Sequence, residues 1–225
     1  MAYVSAGIFA VVSIIHLAGC VIENKKLCSI TKPLLMPLLA LTATAVLIPY
    51  LPDAEYTLAF TVTALACGTA GDIFLLSTDE KHFTAGALCF FTGHIFWIVQ
   101  YSKAYTACSL RQVGIGIFCL TVLLAAVYSI LGKPKGLMGI CTIVYSAVLC
   151  ILVLTGTAAV YAFGTPSSGL YLAGALLFVV SDSLLGLSVM KKQFFLSQFF
   201  IMTTYIAAQT LLTAAVILSQ LQSAL

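Results

Sequence analysis

The chain has 225 residues, of which 62% are hydrophobic and only 8% charged, with a net charge of +3 and a mean hydropathy of +1.14. A water-soluble domain carries roughly 25% charged residues, so this composition excludes a soluble globular protein and points to an all-α, polytopic bundle of membrane helices. The basic residues sit in short connectors between apolar runs, so the positive balance does not imply nucleic acid as a partner.

A bilayer core of ~30 Å needs about 20 apolar residues per helix. That ruler predicts eight spans, at 3–22, 33–51, 56–76, 83–101, 110–131, 137–162, 169–190 and 194–221, within one transmembrane domain over 1–225. The first run, AYVSAGIFAVVSIIHLAGCVI, has no basic residue ahead of it and no small-residue cleavage site after it, so it reads as a span rather than a cleaved signal. Pro33 is expected at the start of the second span, where its missing N–H costs nothing. The connectors carry turn chemistry, as in YLPDAEY, STDEKH, GKPKG, FGTPSSG and MKKQ, and leave no room for a soluble domain.

Orientation follows from the basic residues. Lys25, Lys26, Lys32, Lys81, Lys133, Lys135, Lys191 and Lys192 fall on one side, and Lys103 and Arg111 on the other. Both termini are therefore expected outside, with STDEKH and MKKQ facing the cytoplasm. If the protein is bacterial, the expected location is the cytoplasmic (inner) membrane.

An internal repeat is also suggested. Setting Asp72 on Asp182 aligns GDIFLL with SDSLLG and Lys81 with Lys191. One residue further on, Phe83 meets Phe194 and His94 meets Tyr205, and TKP after the first span echoes GKP after the fifth. Four spans per unit would make a parallel 4+4 repeat about an axis along the membrane normal. The alternative is chance similarity among apolar runs.

Of seven acidic residues, Glu23, Asp53, Glu55, Asp79 and Glu80 lie at span ends or in connectors. Asp72 and Asp182 do not. Each is the only charge in its span, and an Asp at the middle of a span costs about 2.5–3.5 kcal/mol. Each must face protein or water. At a rise of ~1.5 Å per residue, Asp72, Asp182 and His94 lie roughly 6, 12 and 16 Å from their cytoplasmic span ends. Gly68 stands one turn before Asp72, and Gly174 and Phe178 lead to Asp182 in four-residue steps; small residues there let helices approach or leave space for a ligand. In the last span Gln198, Tyr205 and Gln209 form a polar stripe with Met202 between them.

The competing explanation for each acid is an interhelical hydrogen bond that holds the bundle together, and for His94 it is a bond to a helix carbonyl. His16 and His82 read as structural or solvated. Tyr128, Tyr145, Tyr161 and Tyr171 are site residues or interface aromatics. The cysteines, Cys20, Cys28, Cys67, Cys89, Cys108, Cys119, Cys141 and Cys150, form no CxxC pair and no zinc-like spacing, and read as small packing hydrophobes. No metal is expected. Two nearby carboxyls in a low dielectric favour one protonated acid beside one carboxylate, a pair able to donate a proton at one point and activate water at another.

At these residues the sequence resembles the YhhN family of integral membrane proteins, which includes the lysoplasmalogenases. TKP at 31–33 carries the match, with GDIFLL at 71–76 and the F..G...F..GH pattern of 83–94. GALLFVVSDSLL at 174–185 and Y..AQ at 205–209 complete it. The resemblance spans most of the chain in matching order. It implies an eight-helix enzyme that hydrolyses the vinyl ether of a lysophospholipid to a fatty aldehyde and a glycerophospho-alcohol, with no cofactor. The family's aspartates map onto Asp72 and Asp182, and the partners implied are that lipid and the bilayer. His94, Tyr205 and Gln209 are candidates to bind or orient the substrate. Lys32 is a candidate for its phosphate, or else a plain positive-inside residue. A proton-coupled small-molecule transporter using Asp72 and Asp182 as a relay is the rival reading; a scaffolding protein is the third.

Overall fold

The structure is a computed structural model that describes residues 1–77, 79–107, 109–131, 136–191 and 194–223, with side chains described throughout except at parts of 110–141 and at 190–191. The expectations for Lys133, Lys135, Lys192 and Cys108, and for the side chains of Lys191, Tyr128, Cys119 and Cys141, lie outside the described residues. The described residues form eight α-helices and no strand: α1 Ala2–Val21, α2 Lys25–Leu47, α3 Glu55–Phe74, α4 Glu80–Tyr101, α5 Leu110–Leu131, α6 Gly136–Phe163, α7 Pro166–Lys191 and α8 Ser197–Ser223. Short 3-10 turns follow α2 at Ile48–Tyr50 and α4 at Ser102–Ala107. Among the described residues, seven of the helices contain stretches long and apolar enough to cross a membrane.

The predicted spans coincide with the helices except at α2, which begins eight residues before the expected position. The Asn24 side chain accepts the Leu27 N–H at 3.1 Å and starts the helix there. Pro33 and Pro37 therefore lie inside α2, not at its start. Their rings deprive the Ser29 and Pro33 carbonyls of their usual i+4 donors, a loss of roughly 3 kcal/mol for an interior proline. Packing offsets it: Leu35, Met36 and Leu39, around the second proline, are buried in the core. Gly164 ends α6 in the left-handed region at φ +60, its N–H returning to the Val160 carbonyl, and Pro166 opens α7 two residues later.

Successive helices pack as hairpins, α1 on α2, α3 on α4 and α7 on α8, and α8 also touches α1, α2 and α3. Buried residues make up 56% of α8's apolar window, against no more than 39% in any other span. α8 is thus the central helix. Gly174 of α7 lets it approach: a Cβ there would lie 2.9 Å from Leu212 and 3.0 Å from the Ala208 carbonyl. Outward faces are apolar, as at Ile14 of α1, Leu88 of α4, Phe118 of α5 and Leu176 of α7. Hydroxyls close on their own helices, Thr42 donating to the Leu38 carbonyl and Thr63 to that of Ala59. That pattern suits lipid, which offers no hydrogen-bond partner. The chain is a multi-pass integral membrane protein.

Candidate functional site

The acids that the sequence singled out open onto one cavity of about 380 Å³. Asp72 reaches it from the last turn of α3 and Asp182 from the second half of α7. Lys32 of α2, Phe90 of α4, and Gln198, Met202 and Tyr205 of α8 complete much of the lining. Ser77 and Glu80, between α3 and α4, and Ser188, near the end of α7, also line it, so the cavity lies at one end of the bundle.

The two carboxyls have different surroundings. Asp72 is 1% exposed. The Tyr205 hydroxyl donates to its Oδ2 at 3.0 Å, and the Lys32 ammonium stands 3.6 Å from its Oδ1. Asp182 is part-buried and accepts the Tyr145 hydroxyl of α6 on Oδ2 at 2.5 Å. No cation pairs with it among the described residues. Beside it, Ser181 donates to the Ile201 carbonyl at 3.2 Å, tying α7 to α8.

His94 and Gln209 are buried behind this lining. His94 Nδ1 donates to the Phe90 carbonyl, leaving Nε2 without a hydrogen-bond partner among the described residues. Its ring meets Phe178 edge-on at 4.5 Å and Tyr145 at 5.9 Å. The Phe178 ring in turn meets that of Tyr205 at 5.7 Å, so one aromatic group braces both tyrosines that bond the acids. Gln209 lies with Tyr205 over Gly68, where a Cβ would be 3.2 Å from the Tyr205 hydroxyl and 3.3 Å from Gln209 Nε2. Gly68 is the gap into which those two polar ends fit.

The remaining tyrosines separate. Tyr171 donates to the Trp97 carbonyl at 2.9 Å and is an interface residue, while Tyr161 is exposed. His82 lies at the exposed start of α4, paired with Asp79 at 3.0 Å. His16, by contrast, is buried against Thr31, with Cys20 and Cys28 close by, a grouping that the spacing of the cysteines did not suggest. Its signal was the four-residue step from His16 to Cys20, one helical turn, followed by a tight turn that returns Cys28. Tyr145 was the other partner missed as such, since the sequence ranks it no higher than three other tyrosines.

Fold and site together define a polytopic membrane protein with two carboxyls on an internal cavity. The YhhN family model matches residues 27–216, and the chain belongs to that family. No curated protein and no solved structure gives a significant match.

Proposed function

We propose that this protein is an intramembrane hydrolase that cleaves the vinyl ether of lysoplasmalogens, releasing a fatty aldehyde and a glycerophospho-alcohol. The observation that carries the proposal is the pair Asp72 and Asp182 on one cavity among apolar helices. Membership of the YhhN family is consistent with it.

Vinyl ether hydrolysis needs a proton on the outer alkene carbon and then water on the oxocarbenium carbon. Asp182 is the proton donor in this scheme: its Oδ2 accepts Tyr145, which leaves Oδ1 to carry the proton. Asp72, beside the Lys32 ammonium and the Tyr205 hydroxyl, is the carboxylate. It stabilises the cation and takes a proton from the attacking water. As the hemiacetal breaks its bond to the glycerol oxygen, Asp72 gives that oxygen the proton it took from water, and the hemiacetal hydroxyl proton passes to Asp182, so the aldehyde and the alcohol form and both acids return to their starting states. Glycoside hydrolysis divides the same labour between two carboxyls around an oxocarbenium-like transition state.

Leu75, Phe90, Leu185 and Met202 give the cavity apolar wall for the alkenyl chain. Lys32, with its ammonium on Asp72, orients the acid rather than reaching for the phosphate. His94 and Gln209 are positioning residues, bracing Tyr145 and Tyr205 respectively. In this reading the chain has eight spans with both termini outside, the cavity, lined there by Glu80, opens toward the cytoplasmic face, and in a bacterium the membrane is the inner one. A parallel 4+4 repeat is supported by two equivalent pairings, α2 on α8 and α6 on α4, which a shift of four helices interchanges.

The test uses purified protein, an alkenyl-lysophospholipid and heavy water, with the aldehyde trapped by reduction as it forms. One deuterium on the carbon next to the former carbonyl is expected. Absence of aldehyde from the wild-type protein contradicts the function, and substrate-driven proton flux in proteoliposomes without chemical change favours a transporter.

A further inference from the structure

Away from the carboxyl cavity, α1 and α2 bring together His16, Cys20 and Cys28. His16 Nε2 is 3.6 Å from Cys20 Sγ, which is 3.8 Å from Cys28 Sγ, and the ligand atoms of all three lie within 4.8 Å of one another. We infer that these three side chains form a binding site for a thiophilic d10 metal ion that clips α1 to α2.

The His16–Cys20 and Cys20–Cys28 distances suit such an ion. With zinc–sulfur bonds of about 2.3 Å, zinc–nitrogen bonds of about 2.0–2.1 Å and tetrahedral angles, two sulfurs stand about 3.8 Å apart and a nitrogen and a sulfur about 3.5 Å. The imidazole is also prepared. Thr31 gives its hydroxyl proton to the Leu27 carbonyl at 2.8 Å, so its oxygen accepts from His16 Nδ1, 2.7 Å away. The lone pair is thereby left on Nε2, which faces Cys20. An oriented imidazole with its far nitrogen hydrogen-bonded is the usual support of a metal-ligating histidine.

The backbone makes room as well. Gly19 lies under Cys28, where a Cβ would be 3.2 Å from its Sγ. Cys28 is only part-buried, which gives an entry path, whereas His16 and Cys20 are buried. On binding, both thiols release their protons. Two thiolates, a neutral imidazole and a divalent ion then sum to no net charge, which favours zinc(II) over copper(I) in a membrane helix. The set leaves a fourth position for water, or none if the ion is three-coordinate. The Thr31-Lys32-Pro33 segment thus serves two places, Thr31 here and Lys32 at Asp72.

The full chain, purified in detergent with a phosphine reductant and stripped by chelator, is given zinc(II) in one arm and copper(I) in the other, against a chromophoric competitor. One ion per chain is expected, with X-ray absorption showing two sulfur neighbours at about 2.3 Å for zinc. Peptide mapping after maleimide treatment should show Cys28 protected by the metal while Cys67 and Cys89 react as before. Cys28→Ser should lower affinity at least 100-fold, and Thr31→Val roughly 10-fold or more through the lost support of His16. Saturation by copper but not zinc overturns the zinc preference. Sulfur-free coordination, or unprotected Cys28 in the metal-loaded wild-type chain, overturns the site, and that last readout holds even if the variants fail to fold.

Discussion

The Lys32 ammonium and the Tyr205 hydroxyl converge on Asp72, whereas Asp182 receives the Tyr145 hydroxyl. In the proposed mechanism that difference gives two identical side chains opposite roles, and each partner can be removed separately. Tyr145→Phe should lower kcat by about 10-fold to 100-fold with little change in KM, since a hydrogen bond to a charged or reacting group is worth about 1.5–3 kcal/mol. Lys32→Met should lower kcat by about 100-fold, and Lys32→Arg should restore part of it; steady-state aldehyde release checks both. The two acids were legible in the sequence because a lone charge in an apolar run stands out by its cost. Tyr145 was not, because aromatic residues are ordinary in such helices. Its pairing with Asp182, 37 residues away, depends on the rotation of α6 against α7.

At the scale of elements, the approach of helices depends on a few missing side chains. Gly174→Val places atoms against the Ala208 carbonyl and Leu212, so it should destabilise the α7–α8 pair by about 1–3 kcal/mol, read as a lowered midpoint in thermal unfolding. Gly68→Ala is a milder change that meets the ends of Tyr205 and Gln209. It should reduce activity several-fold by shifting the Tyr205 hydroxyl from Asp72, with a smaller effect on unfolding. Hydropathy located the helices well, since bilayer thickness sets their apolar length. It misplaced the start of α2 because Lys25 and Lys26 are polar yet helical, and because the Asn24 cap, rather than the proline, begins the helix. Hydropathy marks where lipid begins, and capping marks where the helix begins.

Among the described residues the helices turn apolar side chains outward and hold the partners of Asp72 and Asp182 between them, the arrangement that a bilayer requires. Its basic residues divide eight to two between the two sides, as the predicted spans set them. Reporters fused to either end should therefore read as non-cytoplasmic, and a cytoplasmic signal from one end alone would mean an odd number of spans. In the proposed function a single-chain lipid enters the cavity from the end of the bundle where Lys32 and Glu80 line it. The central claim is that two aspartates on this cavity divide acid and base work between them. Its most direct test is aldehyde release from an alkenyl-lysophospholipid by the wild type, Asp72→Asn and Asp182→Asn, each purified and matched for thermal unfolding. The account predicts that either substitution lowers kcat by about 100-fold or more; full activity in either variant would contradict it.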